Sequence, residues 1–97
     1  MATKRFSLIA GVSTDSPGAI RPVLQRLFGK GSVTKVGENE FRIEAEMEGE
    51  DAKDLNRLLL SELRRAEKKT RLRADWTSGD TTERFFDYVL KKRIKKS

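Results

Sequence analysis

The sequence predicts one small α+β domain, in which two helices cover a four-stranded antiparallel sheet and a third helix follows. Segments that alternate apolar and polar residues, as half-buried strands do, are interleaved with segments whose apolar residues lie three and four apart, as in amphipathic helices. The chain has 97 residues, of which 36% are hydrophobic and 7% aromatic. This length and composition allow only one thin core, so residues 1–97 are expected to form a single domain.

The first strand and the first helix are separated by a short turn. The strand over residues 4–12 has one apolar face, formed by Phe6, Leu8, Ala10 and Val12. Asp15 or Ser16 can cap the amides that follow, and Pro17 suits the first helical position. Two glycines within residues 29–31 then permit the left-handed backbone that ends a helix. The apolar stripe of this helix is Ile20, Val23, Leu24, Leu27 and Phe28.

A hairpin, a second helix and a fourth strand come next. The hairpin covers residues 32–48 with its turn at 37–39, and its second strand alternates strictly between apolar and charged residues. Glu50 and Asp51 favour the start of the second helix, because acidic residues stabilise the positive end of its dipole. Residues 70–77 return to the period of a strand. The stripe of the second helix is Leu55, Leu58, Leu59, Leu63 and Ala66.

The last segment is predicted to be a third helix. Capping residues and early acids stand at 80–83, and apolar residues then recur at helical spacing. These are Phe85, Phe86, Val89, Leu90 and Ile94. The element order is therefore βαββαβ, for which short connections favour the ferredoxin-like, right-handed split βαβ arrangement. In this interpretation residues 3–77 form the core, and residues 80–96 form the added helix with a basic tail.

Composition excludes several classes of function. The chain has no Cys and no His, so it lacks a thiolate, an imidazole base and the usual ligands of transition metals. We therefore expect a non-enzymatic protein with no metal and no cofactor. Its apolar runs are too short for a membrane span, and no export signal is recognised near the N-terminus. A soluble, cytoplasmic protein with no membrane partner is expected, because the lack of cysteine agrees with a reducing compartment.

The net charge of +6 is concentrated near the C-terminus, where five of the last seven residues are basic. The remaining chain is nearly balanced but polarised, since residues 38–54 are mainly acidic and residues 57–73 mainly basic. If the third helix packs near the end of the second, both basic groups merge into one patch for the phosphates of RNA or DNA. Basic residues at helix ends are also expected from the helix dipole alone. The predicted nucleic-acid-binding residues are Arg64, Arg65, Lys68, Lys69, Arg71, Arg73, Lys91, Lys92, Arg93, Lys95 and Lys96.

The turn Asp15-Ser16-Pro17-Gly18 indicates a different site. It resembles the Asp-x-Pro-Gly turn between the first strand and first helix of ACT domains, which share the βαββαβ order. This resemblance implies a regulatory module that binds a small carboxylate ligand, such as an amino acid, at the amides of the helix start. The implied ligand-binding residues are Asp15, Ser16, Gly18 and Ala19. Helix capping alone also explains this turn.

The outer face of the predicted sheet lacks the aromatic platform of RNA-recognition motifs, so it is not expected to bind nucleic acid. Arg5 or Arg71 is instead expected to form cross-strand ion pairs with the glutamates of the third strand. The leading expectation is a small basic, non-catalytic module that contacts nucleic-acid phosphates. The alternatives are the ACT-like regulatory module and a protein-interaction domain, which would meet a second copy or another protein through the third helix.

Overall fold

The computed structural model describes residues 3–95 and shows an α+β protein with a six-stranded antiparallel sheet and two α-helices. The helices are α1 (Pro17–Phe28) and α2 (Ala52–Ala66). The strands are β1 (Lys4–Ser13), β2 (Val33–Gly37), β3 (Glu40–Gly49), β4 (Arg71–Ser78), β5 (Thr81–Phe86) and β6 (Val89–Lys95). A short 3₁₀ turn over Lys30–Ser32 joins α1 to β2.

Strand β1 is the first element of the chain but lies inside the sheet, whose order is β2-β3-β1-β4-β5-β6. It pairs with β3 from Lys4 opposite Gly49 to Ser13 opposite Glu40. On its other side it pairs with β4, and Ser13 lies opposite Arg71. Ser13 therefore marks the end of the sheet at which β3 and β4 begin.

Both helices pack on one face of the sheet and enclose the core with it. The alternation that predicts β1, β3 and β4 is confirmed, because their apolar residues on this face are buried or partly buried. Trp76 is fully buried, and its ring and the Phe6 ring lie nearly perpendicular, with 6.4 Å between centroids. Of the predicted α2 stripe, Leu55, Leu59 and Leu63 are buried, whereas Leu58 (53%) and Ala66 are exposed.

The prediction of a four-stranded, ferredoxin-like sheet with a C-terminal helix is wrong. Instead of a helix over 80–96, the chain forms the β5–β6 hairpin, which extends the sheet beyond β4. A two-residue turn joins these strands, and its first residue, Asp87, has a left-handed φ of 56°. The pairing register shifts between Arg84 and Phe85. Because this bulge interrupts the strand alternation, the apolar residues of the hairpin fall at spacings that also fit a helix.

The predicted apolar stripe of the third helix is consequently divided between two faces of a sheet. Phe85 is buried in the core, and its pairing partner Leu90 lies on the same face but is 40% exposed. By the pairing register, the other three residues lie on the opposite face: Phe86, Val89 and Ile94. The surface expected to receive a second copy or a protein partner through that helix therefore does not exist in the predicted form.

Polar contacts at Asp87 connect the hairpin to the rest of the protein. The Asp87 backbone N–H donates to the Leu72 carbonyl at 2.7 Å, and its carboxylate accepts from the Leu72 backbone N–H at 3.0 Å. Its carbonyl accepts from the amide of Asn56 at 2.7 Å, and the Asn56 oxygen accepts from the indole N–H of Trp76 at 3.1 Å. Arg64 lies 3.4 Å from the Asp87 carboxylate. We call these five residues the Asp87 network.

The face of the sheet opposite the helices, here called the open face, is uncovered. It carries Ile9 and Gly11 on β1, and by register their neighbours Arg73 and Asp75 on β4 and Arg84 on β5. Within residues 3–95 no helix has the length and apolar character needed to span a lipid bilayer.

Candidate functional site

The end of α2 and the start of β4 form a cleft beside the end of β1. These segments meet because α2 ends at Ala66 and β4 begins at Arg71, opposite Ser13. The cleft encloses about 540 Å³. We call it the basic cleft, and its lining residues are Ser13, Thr14, Asp15, Asn39, Glu40, Arg64, Lys68, Lys69 and Arg71. It therefore brings together four of the predicted nucleic-acid-binding residues.

Arg64 is held at the wall of the basic cleft by contacts within the chain. Its Nε donates to the Thr70 carbonyl at 3.1 Å, and its guanidinium lies 3.4 Å from the Asp87 carboxylate. The same guanidinium lies over the ring of Tyr88, 5.3 Å from its centroid. The charge of Arg64 is therefore already engaged, and these contacts join α2 to β4 and to the hairpin turn.

Three other cations of the basic cleft, Lys68, Lys69 and Arg71, form no ion pair within residues 3–95. Their turn is held by Glu67, whose carboxylate accepts from the Lys69 backbone N–H at 3.1 Å and from the Ser16 hydroxyl at 3.0 Å. These two bonds, the backbone bond first, lower the pKa of Glu67 because they stabilise its charged form. The backbone is thus fixed, while the charges of the three side chains remain available to an anionic ligand.

Carboxylates also reach the basic cleft. Asp15 and Glu40 line it together with four basic side chains, so its charge is positive but partly offset. The excess positive charge would attract a ligand with several phosphates, whereas the two carboxylates would repel its phosphates at short range. The basic cleft therefore carries an excess of positive charge, which its two carboxylates reduce.

A second cavity lies on the open face, directly beside the basic cleft. It encloses about 610 Å³. We call it the open-face groove, and its lining residues are Ile9, Ala10, Gly11, Val36, Glu40, Phe41, Arg42, Arg73, Asp75, Arg84 and Phe86. A smaller cavity that is lined by Arg71, Arg73 and Phe86, among others, connects the two. Sequence reasoning missed this groove, because a helical Phe86 would not lie on the sheet.

Gly11 forms the floor of the open-face groove. A Cβ atom added at Gly11 would meet no other heavy atom within 4 Å, so the space above this residue is empty. Apolar side chains stand around this space, and three of them are substantially exposed: Ile9 (51%), Val36 (56%) and Phe86 (40%). The guanidinium of Arg73 lies over the Phe86 ring, 5.3 Å from its centroid.

Most other charges at the open-face groove are paired. Arg84 donates to both carboxylate oxygens of Asp75, at 2.9 and 3.2 Å, which raises the pKa of Arg84. Arg42 lies 3.0 Å from Glu44. Further along the open face, Arg5 pairs with Glu48 at 3.3 Å and approaches Glu46 at 4.0 Å, so the predicted cross-strand pairing of Arg5 is confirmed. Arg71, the other residue considered for such pairing, forms none within residues 3–95.

The described basic residues of the tail do not line the basic cleft. Lys91, Lys92, Arg93 and Lys95 lie on β6, the edge strand, which is separated from β4 by β5. Arg93 pairs with Glu83 at 3.0 Å. Exposed lysines on an edge strand oppose pairing with other chains, which is a sufficient reason for their presence. Lys96 lies outside the described residues.

Arg65 also lies apart from the basic cleft. It is 77% exposed and pairs with Glu62 of the same helix at 3.5 Å. Arg73 lies in the connecting cavity and the open-face groove instead. The predicted set of nucleic-acid-binding residues is thus divided between a cleft, a groove, an edge strand and the surface of α2.

The residues predicted to bind a small carboxylate ligand surround the start of α1. Asp15 lines the basic cleft, and the Ser16 hydroxyl donates to Glu67. Gly18 and Ala19 belong to the first turn of α1, where the Ala19 N–H donates to the Ser16 carbonyl at 3.0 Å. A carboxylate of the chain itself therefore already interacts with this helix start. Ligand binding there, implied by the ACT resemblance, remains a prediction.

Comparison with protein-family models, with curated proteins and with solved structures finds no match. Within residues 3–95, no cluster of His, Cys, Asp and Glu has an arrangement that would hold a metal ion. The two cavities present lysine and arginine charges, carboxylates, one exposed aromatic ring and a few apolar side chains.

Proposed function

We propose that this protein is a non-catalytic module that binds nucleic-acid phosphates through the basic cleft. The observation that supports this proposal is the set of three cations, Lys68, Lys69 and Arg71, that form no ion pair within residues 3–95. Binding of phosphates by lysine and arginine releases condensed counterions, which drives association with any nucleic acid. The proposal therefore concerns affinity for the backbone and does not require recognition of a sequence.

The basic cleft supports the proposal better than the tail does. Its cations project from a turn and a strand whose backbone is fixed by Glu67 and by sheet pairing. A fixed backbone lowers the entropy lost when side chains meet a ligand. The lysines of β6 lie on an exposed edge strand, where protection from association already explains them.

The test is a fluorescence-anisotropy titration with generic RNA and DNA at two or more salt concentrations. We expect wild type to bind, with affinity that falls steeply as salt rises. The variant Lys68→Gln/Lys69→Gln/Arg71→Gln removes three contacts. It should make the negative slope of log K against log salt shallower by about 2 for a single strand, since each phosphate contact contributes about −0.7.

A matched control removes three charges that do not line the basic cleft. Lys4, Lys53 and Arg57 lie near the start of β1 and of α2, and none of them pairs with a carboxylate within residues 3–95. Their triple substitution to Gln should change the slope less than the cleft substitution does. Equal effects of the two triples would show diffuse attraction and contradict the proposal, as would a wild type that binds neither RNA nor DNA.

A further inference from the structure

We infer that the open-face groove receives an unpaired nucleobase, so that single-stranded nucleic acid is the preferred ligand; this inference rests on the proposed function. It adds to phosphate binding a second contact, on a different group of the ligand and at different residues. The basic cleft and the open-face groove are connected by the cavity beside Arg71 and Arg73. One strand can therefore occupy both.

The charges in the two cavities suit different parts of a nucleotide. In the open-face groove, Arg84 is bonded to both oxygens of Asp75, and Arg42 lies beside Glu44. Its walls thus present paired charges and apolar carbon beside Arg73 and Glu40, which form no ion pair within residues 3–95, and the apolar part suits a neutral, planar group. In the basic cleft the lysines are unpaired, which suits a phosphate. A nucleotide has both kinds of group joined by one sugar.

The shape of the open-face groove also fits a base. Its volume of about 610 Å³ falls within the range of about 300 to 1,000 Å³ found for small-molecule sites. The floor at Gly11 is empty, so a flat ring can approach the backbone of β1. Phe86 and Ile9 supply apolar contacts at the sides.

Arg73 and Phe86 supply the stacking surface. The guanidinium lies 5.3 Å from the ring centroid, and the ring keeps 40% of its surface exposed. Bases stack on aromatic rings and on arginine planes in proteins that bind single strands, and such stacking tolerates any base. Bases inside a duplex are already stacked on both faces and cannot enter a groove on a sheet. The preference for single strands follows from this difference.

The experiment compares three labelled probes of equal length: a single strand of mixed sequence, the corresponding duplex, and a single strand with abasic sites. Two variants disturb the groove. Gly11→Val fills its floor, where no atom opposes the new side chain and a β-branched residue suits a strand. Phe86→Leu removes the ring but keeps an apolar side chain. Urea unfolding of each variant checks that the fold is retained.

We expect wild type to bind the mixed single strand more tightly than the abasic strand or the duplex. Each variant should weaken binding of the mixed single strand about tenfold, as expected for the loss of one stacked base. Neither should change binding of the duplex or of the abasic strand, and the salt dependence should stay as in wild type because no phosphate contact is lost.

A control at the same face is Ile94→Ala, because Ile94 is exposed on the edge strand and does not line the groove. It should leave all three affinities unchanged. If wild type binds the three probes equally, or if the two groove variants weaken all probes alike, the inference is overturned while the proposed function stands. If wild type binds none of them, the proposed function falls as well.

Discussion

The four strands under the helices and the β5–β6 hairpin belong to one sheet, but different interactions hold them. Strands β1, β3 and β4 each bury a row of apolar side chains against α1 and α2. The hairpin buries only Phe85, and every residue of β6 is exposed. It depends instead on pairing with β4 and on the Asp87 network. We therefore expect a stable core and a hairpin that opens more easily, with the open-face groove between them.

The largest effect of a substitution on stability is expected in the part of the sheet that the helices cover, here called the covered half. Ile43 of β3 is fully buried among the helices and neighbouring strands. Ile43→Ala removes apolar contacts and leaves a cavity, so it should lower the free energy of unfolding by about 2 to 5 kcal/mol. Chemical denaturation followed by circular dichroism measures this loss. A change of a few tenths of a kcal/mol would mean that this half does not depend on its packing as described.

A smaller and more local effect is expected in the hairpin. Asp87→Ala removes the acceptor for the Leu72 backbone N–H and places alanine at a left-handed φ of 56°. Together these two changes should lower the free energy of unfolding by about 1 to 3 kcal/mol. Hydrogen exchange should accelerate at the amides of β5 and β6, whereas the amides that pair β1 with β3 should keep their protection.

The control for this experiment is Asp87→Asn, because asparagine tolerates the left-handed region and retains an acceptor for Leu72. It loses only the charge that faces Arg64. Hydrogen exchange at the amides of β5 and β6 in this variant should be close to that in wild type. Equal acceleration throughout the sheet in Asp87→Ala would show that hairpin and core unfold as one unit.

The smallest effect concerns an exposed polar contact in the covered half. Glu67 accepts hydrogen bonds from Lys69 and Ser16, which lower its pKa below the ordinary 4.5. A depressed pKa stabilises the folded state above the ordinary value, and this contribution is lost as the pH falls through the lowered pKa. Wild type should therefore lose slightly more stability on acidification than Glu67→Gln. Parallel curves of melting temperature against pH would contradict this role.

Apolar periodicity predicted the covered half well, because most of its side chains face either the helices or solvent. Along β1, alternation from Phe6 to Val12 reports directly which side chains face the helices. The same reasoning predicted the bounds of α1 from Pro17 and Gly29 to within a residue. Local pattern and tertiary packing agree in these segments, so the sequence alone determines the element.

The hairpin was predicted wrongly for reasons that its residues explain. The bulge leaves Lys91 of β6 without a partner opposite Arg84 and Phe85 and interrupts the alternation. The turn uses Asp87 at positive φ without the glycine that signals a hairpin. This segment contains residues that favour strands, namely Thr81, Thr82, Phe85 and Phe86. The helical spacing of its apolar residues nevertheless led to the prediction of a helix.

The candidate site was predictable only in part. The cluster from Arg64 to Arg71 was visible in the sequence, because these residues are close along the chain. The open-face groove was not, since Gly11 and Phe86 meet only through strands β4 and β5. Nor could the sequence separate Arg64, whose charge is engaged by Asp87, from the lysines that are free of such contacts.

The position of β1 inside the sheet also determines when the chain can fold. During synthesis β1 leaves the ribosome before β4, so one of its edges has no partner until β4 has emerged. Contacts such as that between Ser13 and Arg71 close a long loop. Pairing of such distant segments slows folding, and an unpaired central edge can associate with other chains in the meantime. The N-terminal strand therefore depends on a segment made much later, and an incomplete chain that lacks β4 exposes the most apolar strand of the protein.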